Sequence, residues 1–209
     1  MLKNNKKESW EWRCFYKDTK IKNNILCLID FTLPKPKTIH CTDQYIIMPK
    51  LSHNIKLRKI KEDKQEELHI KSIIETQNNI FKFSKKTKFS LPIIHKDLLK
   101  LMKFKILHES DKVEAINSAE DILKINKNEY LLSLVKKKIV RYNIKKNISK
   151  LKKDIRLEIA EIYINNNLHK TISLKCTSIN IITEFLNKID MLGFERTNYV
   201  NYIKNLESK

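Results

Sequence analysis

Several short segments of this chain alternate apolar and charged residues with a period of two. In residues 9–13, alternate positions hold Ser9, Glu11 and Arg13, and the positions between them hold two tryptophans. Because successive side chains of a strand point to opposite faces, such a segment predicts a β-strand with one apolar and one ionic face. Side by side, these strands would form a sheet whose ionic face is mostly cationic and suits a polyanion. The same alternation recurs over 55–58, 67–71, 154–159 and 172–175.

The remaining segments predict an α+β chain. Further strands are expected over 43–48, 80–83 and 131–144, and a hairpin over 156–164 and 171–176 follows a basic turn at 145–153. The content and spacing of apolar residues predict helices over 21–31, 95–107, 113–123, 179–192 and 199–206. With no internal repeat and no long linker, we expect one domain over 1–209, built on an antiparallel sheet.

The composition limits the class of protein. A chain of 209 residues with 41% hydrophobic residues can bury a real core. No apolar run approaches the roughly 18–20 residues of a membrane-spanning helix, and the first residues lack the apolar stretch of a secretory signal. The four cysteines are widely spaced and form no CxxC pair, which predicts reduced thiols. We therefore expect a cytoplasmic protein that does not bind membranes.

The single glycine, Gly193, excludes two common phosphate-binding loops. A Walker A loop and a dinucleotide-binding GxGxxG loop both need several glycines, because the backbone must approach the phosphate closely. Any phosphate that this chain binds must therefore be held by side chains.

The net charge of +19 is an ambiguous signal. It is typical of nucleic-acid-binding proteins, but an AT-rich genome also produces chains rich in Lys, Asn and Ile. Under such a bias, an arginine that persists marks a place where a planar, bidentate guanidinium matters. The chain has five arginines, namely Arg13, Arg58, Arg141, Arg156 and Arg196. All but the last lie in predicted strands.

Short charged motifs follow one another along the chain. In order they are Ser9-x-Glu11-x-Arg13, Asp43-x-Tyr45, Lys56-x-Arg58, Lys71, Phe89-Ser90-Leu91-Pro92, Lys138 with Arg141-Tyr142, Glu158 with Glu161, residues 171–175, and Asn198-Tyr199. This order resembles that of the CYTH-like, or triphosphate tunnel metalloenzyme, superfamily. The resemblance implies an antiparallel eight-stranded β-barrel with flanking helices, enclosing a tunnel lined by basic and acidic side chains.

In that superfamily, basic residues hold a triphosphate or polyphosphate chain, and glutamates hold the Mg²⁺ or Mn²⁺ that supports phosphohydrolase activity. Carried over by position, the phosphate contacts would be Arg13, Lys56, Arg58, Lys71, Lys138 and Arg141. Arg156 and Lys175, on the ionic faces of the closing strands, complete the set of candidates. The alternative for each residue is a place on the solvated outer face of an ordinary sheet.

The sequence departs from the superfamily pattern at the positions expected to ligate the metal. Ser9 replaces the first glutamate of the opening motif, and Ser173 and Lys175 replace the glutamate pair of the closing strand. A protonated lysine cannot ligate a metal. We therefore expect hydrolysis to be weak, altered or lost, and Lys175 to supply positive charge in place of the metal. The carboxylates that remain as candidate metal ligands are Glu11, Glu67, Glu158 and Glu161.

Two other functions remain open at this stage. One is a non-catalytic RNA- or DNA-binding protein that uses a basic sheet, in which aromatic residues would stack on bases. The candidates for stacking are Trp10, Trp12, Phe81, Phe83, Tyr142 and Tyr199. Trp10 and Trp12 alternate with the ionic residues, so we expect them in the apolar core and not on a stacking surface. The other is a protein-interaction domain whose charge reflects codon usage alone.

Overall fold

The computed structural model describes residues 8–17, 22–23, 26, 35–48, 53–60, 65–107, 115–125, 130–148, 151–188 and 195–208. Ten strands lie in this part of the chain. They are β1 (Ser9–Tyr16), β2 (Lys37–Ile47), β3 (His53–Ile60), β4 (Glu67–Gln77), β5 (Ile80–Phe83), β6 (Thr87–Ser90), β7 (Leu131–Ile148), β8 (Leu151–Ile164), β9 (Asn167–Cys176) and β10 (Glu195–Arg196).

Eight of these strands form a closed antiparallel barrel. Their order is β1-β5-β4-β3-β2-β7-β8-β9, and β9 pairs with β1 to close the ring. Strand β6 pairs with β4, and β10 pairs with the end of β1. Closure leaves no free edge in the ring, and it confirms the predicted barrel.

Four helices accompany the barrel among the described residues. They are α1 (His95–Lys103), α2 (Ala119–Ile125), α3 (Ile179–Leu186) and α4 (Tyr199–Glu207). Most of the helix expected over 21–31 lies outside the described residues, as does Gly193. Among these residues, no helix has the length and apolar content needed to cross a bilayer.

Several boundaries differ from the sequence prediction. Strand β2 begins at Lys37 instead of Asp43, and helix α1 ends at Lys103 instead of Leu107. Helix α2 begins later than expected, because Ile116 pairs with Ile93 in a β-bridge and Ser118 and Asp121 then cap the helix. Strands β7 and β8 extend into the predicted basic turn and pair with each other as far as Ile148 and Leu151. The turn itself is therefore shorter than residues 145–153.

The apolar faces of the strands mostly point outward and are covered by helices. Trp10 and Trp12 lie in a cluster on the outer side of β1, β8 and β9, under Ile182 and Phe185 of α3. A second outer cluster packs β3 and β4 against α1 and α2. Both tryptophans are therefore core residues, as predicted. The opposite, ionic faces of the same strands are left to line the interior of the barrel.

A third cluster fills one part of that interior with apolar side chains. Phe15, Tyr45, Val135 and Ile162 belong to it, together with Ile203 of α4. Phe15 also stacks on the ring of Tyr202, with the ring centroids 3.5 Å apart. Helix α4 thus packs against the inner face of the barrel wall, next to the charged side chains described below.

Candidate anion-binding site

The inner face of the barrel gathers cations from six strands. The side chains concerned are Arg13, Lys56, Arg58, Lys71, Lys137, Arg141, Arg156 and Lys175. Four carboxylates lie among them, namely Glu11, Asp43, Glu67 and Glu158. Eight cations against four carboxylates leave an excess of positive charge. Such an excess in a partly desolvated space is unfavourable unless an anion balances it.

Asp43 is the centre of the first charged cluster. Its carboxylate has no exposed surface and accepts hydrogen bonds from Lys56 Nζ at 2.7 Å and from Arg58 Nε and Nη2 at 2.6 and 2.7 Å. Lys137 Nζ lies 2.7 Å from the same carboxylate and donates to the hydroxyl of Tyr45 at 2.8 Å. One carboxylate therefore faces three cations.

The pKa values in this cluster follow from that imbalance. Burial alone would raise the pKa of Asp43, but Lys137 and Lys56 hold it well below its ordinary value. Burial lowers the pKa of Lys56 well below its ordinary value; Asp43 opposes this, whereas Arg58 and Lys137 add to it. Protonation of Lys56 is therefore less favourable here than in water, and an anion close to its ammonium group would make it more favourable.

Glu11 anchors the second cluster. Its carboxylate pairs with Arg13 Nη2 at 3.1 Å and with Lys71 Nζ at 3.4 Å. Burial opposes ionisation of Glu11, but the two cations lower its pKa below the ordinary value. Arg13 also donates to Thr171 Oγ1 at 3.1 Å, while its buried Nε has no hydrogen-bond partner among the described residues.

Tyr199, the first residue of α4, lies between the two clusters. The guanidinium carbon of Arg13 is 4.1 Å from the centroid of its ring, and Lys137 Nζ is 3.7 Å from the same centroid. Each distance is within the range of a cation–π interaction. The helix that packs against the inner wall therefore also helps to position one cation from each cluster.

The third group lies on β7, β8 and β9. Arg141 donates from Nε and Nη2 to one oxygen of Glu158, at 2.8 and 2.7 Å. Arg156 and Lys175 are direct cross-strand neighbours. Neither side chain has a hydrogen-bond or ion-pair partner within the described part of the chain, and Arg156 Nε is buried. Burial and the charge of Lys71 lower the pKa of Lys175 to about 8.

Most of the predicted phosphate contacts share this inner face. Arg13, Lys56, Arg58, Lys71, Arg141, Arg156 and Lys175 are all on it. Lys138 is not, because it is exposed on the outer face of β7 opposite Glu161, which is also exposed. Lys138 and Glu161 are thus outside the cluster, and Lys137 joins Arg141 as an inner cation of β7.

Several residues of the site were not singled out from the sequence. Asp43 and Tyr45 belong to a recognised motif, but no role in the site was assigned to them. Lys137 lies in a run of three lysines, and nothing in the sequence indicates which of the three faces the interior of the barrel. Tyr199 begins a predicted helix, and nothing in the helical pattern indicated that this helix would pack against the inside of the barrel.

The described residues offer few carboxylates for a divalent metal ion at the inner face. Mg²⁺ takes near-octahedral oxygen ligands and is usually held by one or two carboxylates together with water and substrate phosphates. Among the described residues, no group of three or more His, Cys, Asp or Glu side chains is close enough to hold a metal. Glu11 and Glu158 are already ion-paired, and Ser173 and Lys175 are their cross-strand neighbours. Glu67 is paired with Lys88 and His69.

No family model and no curated protein matches the sequence. Solved structures do match the fold. A conserved hypothetical protein from Pyrococcus furiosus superposes with a TM-score of 0.52 at 13% identity, covering 92% of this chain and 98% of that one. PH1819 from Pyrococcus horikoshii OT3 gives a TM-score of 0.52 at 13% identity, over 96% of this chain and 99% of that one.

A third similar structure is HpAC1 from Hippeastrum, described as an adenylyl cyclase candidate with a dominant triphosphatase activity. Its TM-score is 0.52 at 10% identity, and the match covers 96% of each chain. At these identities the likeness is one of fold.

Proposed function

We propose that the barrel binds a triphosphate or polyphosphate anion on its cationic inner face. The observation that carries the proposal is the pair of Arg156 and Lys175, which are direct cross-strand neighbours and form no ion pair within the described part of the chain. Glu11, the neighbour of Lys175 on its other side, is already paired with Arg13 and Lys71. Like charges directly opposite in a sheet are destabilising. An anion between them turns this repulsion into charge-assisted hydrogen bonds. The triphosphatase description of the Hippeastrum relative agrees with this class of ligand.

We further propose that binding does not depend on a divalent metal and that hydrolysis is weak or absent. In phosphoryl transfer, metal ions neutralise the charge that develops on the transferring group. Here Lys175 takes a position where the superfamily pattern has a metal-binding glutamate, and its ammonium group supplies positive charge directly. Cations that hold the phosphate chain do not by themselves position an attacking water molecule. The described residues thus favour binding over turnover.

Calorimetry with tripolyphosphate, ATP and polyphosphate tests this proposal. We expect binding in the presence of a chelator, little change on addition of Mg²⁺ or Mn²⁺, and negligible release of inorganic phosphate. Failure of all three ligands to bind would reject anion binding. Release that depends on added Mg²⁺ or Mn²⁺ would reject the metal-independent form of the proposal.

The affinity for tripolyphosphate is expected to fall as the pH rises above about 8, because Lys175 has a pKa of about 8 and loses its proton there. If binding requires the protonated form, the loss approaches about tenfold per pH unit. Titrations at several pH values check this, and Lys175→Arg serves as the control because a guanidinium stays charged. Protonation of tripolyphosphate itself affects the wild type and Lys175→Arg equally. If the affinity of both proteins falls equally with pH, the pH dependence does not come from Lys175.

Binding of single-stranded nucleic acid is the second candidate that the sequence left open. The two tryptophans, its best stacking residues, are buried in the outer core at 8% and 1% exposure. A salt titration separates the candidates, because a ligand held by many separate phosphates loses affinity steeply with salt. We expect a shallower dependence for tripolyphosphate in the barrel. A steep slope together with preference for an oligonucleotide would favour nucleic acid.

A further inference from the structure

We propose that Lys175 is a site of reversible carbamylation, at which carbon dioxide adds to the side-chain amine. The modification replaces a cation of the inner face by an anion, so that carbon dioxide and the phosphate chain compete for this part of the barrel. The competition rests on the proposed anion site, whereas the covalent step does not. Support comes from the surroundings of Lys175 on β9 and of its neighbour Arg156 on β8.

Lys175 differs from the other lysines of the inner face in its pairing. Each of the others has a carboxylate oxygen 2.7 to 3.4 Å from its Nζ, and these are Lys56, Lys71 and Lys137. Within the part of the chain that the structure describes, the amine of Lys175 makes no such ion pair. Its cross-strand neighbour Glu11 is already paired with two other cations. The amine of Lys175 is therefore available to react with a small electrophile.

Carbon dioxide reacts only with an uncharged amine, and Lys175 loses its charge more readily than an ordinary lysine. Burial and the charge of Lys71 lower its pKa to about 8. Arg156 adds to this shift, whereas Glu11 and Glu158 oppose it. At pH 7 about one Lys175 amine in ten is then uncharged, against roughly one in 2,500 for a lysine with the ordinary pKa of about 10.4.

Arg156 offers a hydrogen bond to the product. It is the direct cross-strand neighbour of Lys175, and its buried Nε has no hydrogen-bond partner among the described residues. A buried donor without an acceptor is unfavourable. A carbamate has the two oxygens of a carboxylate, and a guanidinium donates strong, charge-assisted hydrogen bonds to such a group. Carbamylation of Lys175 therefore gives this donor an acceptor and replaces a repulsion between like charges by an attraction.

The covalent step needs carbon dioxide as its only co-reactant. The lone pair of the uncharged Nζ attacks the carbon atom of carbon dioxide, so that an N–C bond forms. One C–O π bond breaks, and its electron pair stays on that oxygen. Nζ then releases a proton to solvent, which leaves a carbamate with one negative charge. The reverse reaction takes up the proton and releases carbon dioxide.

Carbamylation and the binding of a phosphate chain oppose each other. A bound phosphate chain stabilises the ammonium form of Lys175, which does not react, and the carbamate repels the phosphate oxygens. By linkage, tripolyphosphate lowers the equilibrium constant of carbamylation by the same factor as carbamylation lowers the affinity for tripolyphosphate. The level of carbon dioxide thereby regulates the occupancy of the anion site.

Nuclear magnetic resonance in ¹³C-labelled bicarbonate tests the inference, near pH 8, where about half of the Lys175 amine is uncharged. We expect a carbamate resonance that is absent from Lys175→Arg and retained in Lys138→Arg, the same substitution at an exposed lysine of β7. The α-amino group of the protein also forms a carbamate, whose resonance is common to the three proteins. Trapping of the wild type with a trialkyloxonium reagent, followed by peptide mass spectrometry, identifies the modified lysine.

Two further measurements examine the role of the surroundings. Arg156→Met removes the neighbouring donor and is expected to lose most of the Lys175 resonance. A competing ligand at roughly ten times its dissociation constant lowers the apparent carbamylation constant about tenfold. Tripolyphosphate at that concentration is therefore expected to suppress the resonance of the wild type.

The outcomes separate the modification from the anion site. If the wild type and Lys175→Arg give the same spectrum, or if trapping finds no adduct at Lys175, carbamylation is rejected while the anion site stands. If the adduct forms but tripolyphosphate leaves it unchanged, the competition is rejected, and with it the place of Lys175 in the anion site. The modification itself stands in that case.

Discussion

Replacement of Asp43 by asparagine is expected to lower the free energy of unfolding by about 3–5 kcal/mol, the usual effect of removing one partner from a buried ion pair. The change keeps the shape of the side chain but leaves Lys56, Arg58 and Lys137 without their shared carboxylate. For a chain of this size, each kcal/mol corresponds to a shift of about 2–4 °C in Tm. Thermal and urea denaturation measure the effect.

The matched control is Asp97→Asn, which removes a half-buried carboxylate paired with the exposed Lys100 on α1. Pairs of this kind contribute at most about 1 kcal/mol. Added tripolyphosphate should recover part of the stability lost in Asp43→Asn, because the anion supplies the missing negative charge. Equal effects of the two substitutions, with no recovery by the anion, would contradict the view that Asp43 balances the interior cations.

The alternation of apolar and charged residues was sufficient to predict most of the strands and most of the residues on their ionic face, whereas the closed barrel was implied by the resemblance to the triphosphate tunnel superfamily. In β1, β3 and β9 one set of alternate residues is apolar and packs under helices, which leaves the ionic set facing inward. Arg13, Lys56 and Lys175 are inside for this reason. A shift of one residue in any of these strands would expose its apolar face to the charged interior, so the register is strongly determined.

Strand β7 shows why the same rule failed for Lys138. Val135 and Ile139 are inner residues of β7, where the interior is apolar. The alternation therefore assigns Lys137 to an apolar face and its neighbours to an ionic one. Lys137 is nevertheless inside, because Asp43 and the ring of Tyr199 stabilise its charge. Both partners are distant in sequence, and no local pattern identifies them.

The sequence also did not predict that α4 packs against the inner wall, and the reason is similar. Its amphipathic pattern predicts a helix with one buried face but does not indicate which surface covers that face. The partners are Phe15 of the first strand and Tyr45 of the second. Only the closed barrel brings these two rings next to α4, which lies at the other end of the sequence.

Replacement of Lys175 by glutamate is expected to weaken the binding of tripolyphosphate by about 30-fold or more. The substitution changes the charge by two units beside Glu11 and Arg156, its cross-strand neighbours. A loss of 30-fold corresponds to about 2 kcal/mol, the lower end of what truncating one buried charged partner costs. Calorimetry in the presence of a chelator measures it, with Lys138→Glu as the control on the exposed outer face.

The same variant tests whether position 175 determines the independence from metal. It would add a third carboxylate to Glu11 and Glu158, and carboxylate oxygens are the ligands that Mg²⁺ and Mn²⁺ prefer. We therefore expect Mn²⁺ to restore part of the lost affinity in Lys175→Glu and to have no such effect on the wild type or on Lys138→Glu. If Lys175→Glu and Lys138→Glu weaken binding equally, the effect comes from the overall charge. Position 175 would then have no special role at the inner face.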